Sequence, residues 1–128
     1  MIKRLGSATL TYRAFAFSGF VFFEYGSYSL SLYYFDRALK SFYDREGLIS
    51  FGFERQLEMQ LYKFVCRIFL IKGRYTEAKN FAYKLLRKAW IASDVDEEMA
   101  AHDLLGKVYM EMQNMPMCQY FHWRMRSG

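Results

Sequence analysis

The residues of this chain that could carry out chemistry are few and lie far apart. It contains two cysteines, Cys66 and Cys118, and two histidines, His102 and His122, among 128 residues. Thiols can act as nucleophiles or redox groups, and both residue types can bind metals. The spacing gives neither a CxxC motif nor a Cys/His cluster, which argues against a zinc site and against a disulfide scaffold. We therefore expect inert, buried thiols, no metal and no cofactor.

Acidic residues are concentrated in the segment Asp94–Glu98, which the sequence places at the start of a helix. Negative charge is favourable there because it complements the helix dipole, so the segment needs no catalytic role. The sequence has no nucleophile–base pair, no paired carboxylate motif and no glycine-rich phosphate loop. It predicts a protein that is not an enzyme.

Composition indicates one folded domain over residues 1–128 with a modest positive charge. The chain is 53% hydrophobic and 20% aromatic, and its formal net charge is +5. Such a composition can form a packed core and argues against disorder. The charge favours acidic partners, but it is too scattered to indicate nucleic-acid binding. Cysteines without a pairing pattern favour a reducing compartment, so we expect a cytoplasmic protein, with a cilium, an axoneme or a mitochondrion as alternatives.

The N-terminal segment allows two interpretations. Residues 1–23 contain Lys3, Arg4 and Arg13 and no acid, a composition similar to that of a mitochondrial presequence. The apolar run Phe15–Phe23 is about half of the ~20 residues that span a bilayer, so no membrane span is predicted. We favour a structural helix from Ala8, with residues 1–7 as a flexible lead-in or a targeting remnant.

The spacing of apolar residues predicts six helices and no strand. Gly73 stands where a helix must end, because glycine adopts the left-handed conformation without a Cβ clash. Thr76, Ser50 and Asp94 are predicted to cap the helices that follow them. Short connections indicate antiparallel neighbours. The predicted helices cover about residues 8–25, 28–45, 53–72, 76–92, 96–112 and 116–125.

Three predicted turns, at Gly26, Gly73 and Gln113, align with one another. Small residues recur seven positions before and five positions after each turn, and aromatic residues recur four positions before it. Small residues let two helices cross closely, and a ring can pack beside the crossing. The predicted packing residues are Gly19, Cys66 and Gly106; Phe22, Phe69 and Tyr109; and Ser31, Ala78 and Cys118.

This pattern resembles the tetratricopeptide repeat (TPR) family, which has a small residue in each helix and a Gly-x-Tyr turn. The matching units cover about residues 12–45, 59–92 and 99–126, and they depart from the pattern at Ala82, at Leu85 and in the third turn. The turns are 47 and 40 residues apart, which is similar to the longer units, of about 40 residues, in scaffold proteins of cell polarity and cilia. The resemblance implies an all-α, right-handed solenoid of three antiparallel pairs, which can be part of a longer array.

The resemblance also implies a function, namely a scaffold or adaptor that binds a partner peptide or helix in a concave groove lined by the first helix of each pair. Rings would anchor the partner, and cations would pair with its acids. Self-association through uncapped ends, a structural role in a large ciliary or mitochondrial assembly, and a helical-repeat nucleic-acid module stay open as alternatives. So does an ordinary core with a solvated face. The predicted groove residues are Arg13, Phe17, Phe20, Lys63, Phe64, Arg67 and Lys107.

Overall fold

The structure is a computed structural model that describes residues 2–43 and 52–112, and within these ranges every regular element is an α-helix. This confirms the prediction of an all-α fold for the described part of the chain. Five helices are present there, and they are α1 (Ile2–Glu24), α2 (Tyr28–Tyr43), α3 (Gly52–Ile71), α4 (Tyr75–Ala92) and α5 (Val95–Glu111).

The start of α1 differs most from the prediction. The helix begins at Ile2 rather than Ala8, so residues 2–7 are helical and are not a flexible lead-in. A lone glycine such as Gly6 weakens a helix by about 1 kcal/mol without ending it, and Lys3, Arg4 and Leu5 before it are good helix formers. The other described helix ends lie within two residues of their predicted positions.

The chain divides into two compact units, Met1–Leu61 and Tyr62–Gly128. The first contains the α1–α2 pair and the beginning of α3, and the second contains the rest of α3 with α4 and α5. The predicted sixth helix, at about 116–125, and the predicted cap at Ser50 lie outside the described residues. The six-helix solenoid and the single domain stay predictions.

The three described helix connections share one backbone geometry. A residue with positive φ follows each helix: Gly26 at 80°, Gly73 at 76° and Ser93 at 55°. Its N–H donates to the carbonyl three residues earlier, and the next N–H donates to the carbonyl five residues earlier, at N···O distances of 2.8–3.1 Å. This is the Schellman motif, which satisfies carbonyls at a helix end. The next helix begins two residues later in all three cases.

The helix starts show one correct cap and one correction. Asp94 precedes α5, and its carboxylate accepts a hydrogen bond from the backbone N–H of Glu97 at 3.2 Å, which confirms the predicted cap. Thr76 does not cap α4, because it lies inside the helix and Arg74 occupies the cap position without a side-chain cap bond. Arg74 instead places its guanidinium 5.3 Å from the centroid of the Phe69 ring and forms an ion pair with Glu77.

In the first unit, α1 and α2 cross closely at Gly19. The hydroxyl of Ser31 donates to the carbonyl oxygen of Gly19 at 2.6 Å, and both residues are buried. A Cβ at Gly19 would lie 2.5 Å from two ring atoms of the fully buried Phe35. The ring of Phe20 packs edge-on against Phe35, with centroids 5.1 Å apart. The crossing therefore depends on the missing side chain at Gly19.

In the second unit, aromatic rings join neighbouring helices, and small and aliphatic residues fill the core. Phe81 of α4 lies between two rings of α3, with centroids 6.0 Å from Tyr62 and 5.8 Å from Phe69. Across α4 and α5, the hydroxyls of Tyr83 and Tyr109 are 3.2 Å apart. The fully buried side chains of this unit include Cys66, Ile68, Ala78, Ala82, Leu85, Ala89, Ala101, Leu105 and Val108.

Replacing Gly19 with valine should destabilise the first unit. The added side chain would force the Phe35 ring or the helix backbone to move, and overpacking of this kind lowers the free energy of unfolding by about 1–3 kcal/mol. Urea denaturation followed by circular dichroism measures the change. Ser18→Val, which introduces the same side chain at the preceding position of the same helix, is the matched control and should have a smaller effect. Equal loss in both variants would contradict the close crossing.

Candidate functional site

The predicted groove residues of α1 differ in their exposure. The side chain of Phe17 is 53% exposed, and Val21, one turn further along the same face, is 50% exposed. Phe20 packs against Phe35 and is only partly exposed, as is Arg13. From Tyr12 onwards, the exposed face of α1 therefore contains Ala14, an apolar stripe formed by Phe17 and Val21, and Glu24 at its end.

A ring cluster joins α1 to α2 beside this stripe. The rings of Phe22 and Tyr34 stack with centroids 5.4 Å apart, and Phe15 lies 6.2 Å from Tyr34. The guanidinium of Arg37 covers the rings of Phe15 and Tyr33 at 5.4 and 5.7 Å. Arg37 was not predicted to contribute, since no local sequence signal shows which ring a surface cation will cover.

In the second unit, Lys63 forms an ion pair with Glu97, which is 34 residues away. The Nζ–Oε1 distance is 2.9 Å, and the two side chains are only 15% and 12% exposed. The pair joins α3 to the first turn of α5, where the Asp94 cap fixes the backbone of Glu97. The predicted role of Lys63, to bind an acid of a partner, would require that acid to displace Glu97.

The other predicted groove cations reach solvent. The guanidinium of Arg67 lies 5.4 Å from the Phe64 ring centroid, and Arg67 is exposed. Lys107 pairs with Asp103 at 3.1 Å, and both side chains are well exposed. Lys107 follows Glu97 by ten residues, about 15 Å along α5, so the predicted cations are not clustered at one point.

Each of these exposed cations has an apolar neighbour on its own helix face. Ile71, one turn after Arg67, is 56% exposed, and Met110, three residues after Lys107, is 46% exposed. The uncovered faces of α3 and α5 thus combine a positive charge with an apolar side chain. Such faces can hold an acidic segment that has apolar anchors.

The predicted packing residues lie in the core wherever the structure describes them, with one partial exception. Phe22 is half-buried in the ring cluster. Cys118 lies outside the described residues. The others are buried: Gly19, Ser31, Cys66, Phe69, Ala78, Gly106 and Tyr109.

Cys66 and His102 are the cysteine and the histidine that the structure describes. Cys66 is fully buried, and burial raises the pKa of its thiol from 9.0 to about 12, although the charge of Arg67 opposes the shift. The thiol is therefore protonated, and not nucleophilic, near neutral pH. The ring of His102 lies 3.9 Å from the carboxylate of Glu98. Among the described residues, no three His, Cys, Asp or Glu side chains are grouped in a way that could hold a metal ion.

Two contacts between α4 and α5 were not predicted. Burial, and secondarily the hydrogen bond to Tyr109, raises the pKa of the Tyr83 hydroxyl to about 12. The indole N–H of Trp90 donates to the carboxylate of Glu98 at 3.0 Å. Trp90 is 66% exposed, so this bond orients a large surface ring instead of a core one. Residues eight positions apart on two helices give no periodic signal, which is why the sequence did not reveal it.

No protein-family model, curated protein or solved structure matches this chain. Within residues 2–43 and 52–112, no helix combines the length and the apolar character needed to cross a membrane. Functional inference therefore rests on the geometry of these helices.

Removing one partner of the Lys63–Glu97 pair should destabilise the second unit. Lys63→Met leaves a carboxylate in a site that is only 12% exposed, and the expected loss is about 1–3 kcal/mol of unfolding free energy. Adding Glu97→Met should recover part of this loss, because two apolar side chains can replace a shielded ion pair. Lys107→Met, in the exposed pair, is the control and should cost less than about 0.5 kcal/mol. Equal losses in urea denaturation for the two single variants would contradict the buried pair.

The Cys66 thiol should resist alkylation in the folded chain. In a Cys118→Ser background, iodoacetamide should react slowly at every pH up to about 9, and guanidinium should accelerate the reaction strongly. The pKa of the thiol is higher in the folded chain than in the unfolded chain. Its contribution to the free energy of unfolding should therefore be fully present below pH 9.0 and should be lost as the pH rises towards about 12. Rapid labelling of the folded chain, increasing with pH as for a free thiol, would show that the site is open.

Proposed function

We propose that this chain is a non-catalytic, TPR-like interaction module that binds an acidic segment of a partner protein on the open faces of its first helices, α1, α3 and α5. The observation that carries the proposal is the equivalence of the two hairpins. Gly26 and Gly73 have φ of 80° and 76°, and the backbone hydrogen bonds around them correspond one by one. They are 47 residues apart.

The buried positions of the two hairpins correspond at the same interval. Ser31 and Ala78 are both fully buried, and so are the residues four and seven positions further on. Those residues are Phe35 and Ala38 in α2, and Ala82 and Leu85 in α4. The large residue comes first in α2, as Phe35, and second in α4, as Leu85. Each helix therefore buries one large and one small residue at these two positions. This repetition of environments supports a repeat protein, whose usual role is to present an extended surface to a ligand.

The uncovered faces support a protein ligand. The α1 stripe offers Phe17 and Val21, and α3 and α5 each offer a cation beside an apolar side chain. Apolar anchors with flanking charges are the elements by which grooves hold amphipathic segments.

Nucleic acid is a weaker candidate ligand. Of the predicted groove cations in the second unit, Lys63 is paired with Glu97 and Lys107 with Asp103, and Arg67 lies one turn from the apolar Ile71. These three cations do not form the continuous basic surface that follows a phosphate backbone. A role as a structural subunit of a large assembly gains support from the exposed Trp90 and Ile91, which are 66% and 69% accessible. We propose a cytoplasmic location, since the free, buried Cys66 is suited to a reducing compartment.

The proposal can be tested with a peptide library displayed on phage. Selected peptides should be enriched in acids and apolar residues, and fluorescence anisotropy should show a loss of affinity of at least about tenfold in an Arg67→Glu, Lys107→Glu variant. Affinity should fall at high salt, because the exposed cations are screened.

Charge reversal on the second helices, α2 and α4, provides the matched control. Lys40→Glu with Arg87→Glu changes the net charge by the same amount, and it should leave peptide binding unchanged. Peptides that bind both variants equally, or a selection without acidic enrichment, would contradict the proposed face. Binding of a single-stranded oligonucleotide that strengthens steeply at low salt would favour the nucleic-acid alternative instead.

A further inference from the structure

The connection between α4 and α5 carries a group of exposed apolar side chains that the proposed peptide-binding faces do not use. Trp90 and Ile91 end α4, and Val95 and Met99 lie in the first turns of α5. They are 66%, 69%, 64% and 44% exposed. We call these four residues the connector patch.

The connector patch is continuous across the two helices. Val95, Glu98 and Met99 share one face of α5, because they are three and four residues apart. Trp90 reaches that face from α4, where its indole N–H donates to Glu98 at 3.0 Å. The bond fixes the ring in an exposed position before any partner arrives, which reduces the entropy lost on binding.

Opposite charges flank the connector patch on its two sides. Helix α4 carries four basic residues and one acid, a net charge of +3, and Arg87 lies one turn before Trp90 and Ile91 on their face. Helix α5 carries five acids and one lysine, a net charge of −4, and Asp96 adjoins Val95. Arg87 and Asp96 are both exposed.

We propose that the connector patch is the centre of a homodimer interface. A two-fold axis through the patch places the basic side of one copy opposite the acidic side of the other. The apolar residues then pack against their own counterparts. Arg87 of each copy meets Asp96 of the other, which gives two equivalent ion pairs.

This arrangement of charge distinguishes a second copy from other occupants. An anionic membrane or a nucleic acid would be attracted by Lys84 and Arg87 but repelled by Asp94 and Asp96 at the other edge. A second copy satisfies both edges with the charges of this chain alone. The patch is small beside an interface of roughly 20–30 residues a side, so we expect a dissociation constant in the micromolar range.

Sedimentation velocity of the full chain between about 1 and 300 µM should show a monomer–dimer equilibrium. Trp90→Ala should weaken dimerisation at least about tenfold, since aromatic anchors dominate interfaces. Tyr25→Ala, which removes a ring that is 78% exposed elsewhere, is the matched control and should leave the equilibrium unchanged. Circular dichroism of each variant verifies that the fold is retained.

A charge swap tests the two-fold arrangement directly. Arg87→Glu and Asp96→Lys should each weaken the dimer several-fold, because each places like charges across the axis. The double variant should restore dimerisation, and a mixture of the two single variants should form a heterodimer. Lys40→Glu on α2 should have no effect.

Several outcomes would overturn the homodimer. These are a chain that stays monomeric to about 300 µM, a dimer that Trp90→Ala does not affect, and a double variant that is no better than the single ones. Sedimentation of the monomer with phosphatidylserine vesicles, lost in Trp90→Ala, would assign the connector patch to a membrane surface instead. The Arg67→Glu, Lys107→Glu variant should still dimerise, so failure of the peptide-binding proposal can be distinguished from failure of this one.

Discussion

The shortness of the helix connections constrains the described structure more than any other feature. In the three connections that the structure describes, two or three residues separate one helix from the next, and the chain turns at a residue with positive φ. A chain that reverses this tightly places the two helices in contact along their length, so small side chains are needed where they cross. Gly19 and Ser31 meet this requirement in the first unit, where a hydroxyl to carbonyl bond of 2.6 Å joins the two helices. The faces turned away from the crossing are then left for solvent or for a partner.

Local signals in the sequence were sufficient to predict the five described helices, although not the start of α1. Gly26 and Gly73 were identified because few other residues tolerate their conformation, and Asp94 was identified because a carboxylate readily accepts the N–H groups of a helix start. Ser93 adopts a φ of 55° although it is not glycine, so its residue type did not predict a left-handed conformation at this position. Thr76 had the right chemistry for a cap but stands two residues after Arg74, the cap position. Boundaries of this kind depend on which of several adequate residues the packing selects.

The candidate site was harder to predict, because its character depends on pairs that are distant in sequence. Periodicity placed Lys63, Arg67 and Lys107 on helix faces. It could not show that Lys63 forms an ion pair with Glu97, which is 34 residues away in the sequence. Nor could it show that Trp90 is oriented by Glu98. Two of the departures from the predicted repeat pattern, Ala82 and Leu85, have a simple physical basis: both are fully buried, as are Phe35 and Ala38, which precede them by 47 residues. A packed core constrains the total volume of its side chains more strictly than it constrains which of two neighbouring positions carries the large one.

The two helix starts in the second unit are held by different forces, and this difference has a consequence for their dynamics. The first turn of α4 lacks a side-chain cap and relies on the ion pair between Arg74 and Glu77, whose side chains are 60% and 36% exposed. The first turn of α5 is held by a hydrogen bond from a backbone N–H to Asp94. Added salt screens the attraction between exposed charges more strongly than it weakens a short hydrogen bond. Concentrated salt should therefore loosen the N-terminus of α4 more than that of α5. Fraying there would move the Arg74 guanidinium away from the Phe69 ring, so the exposure of this aromatic side chain should increase with salt concentration.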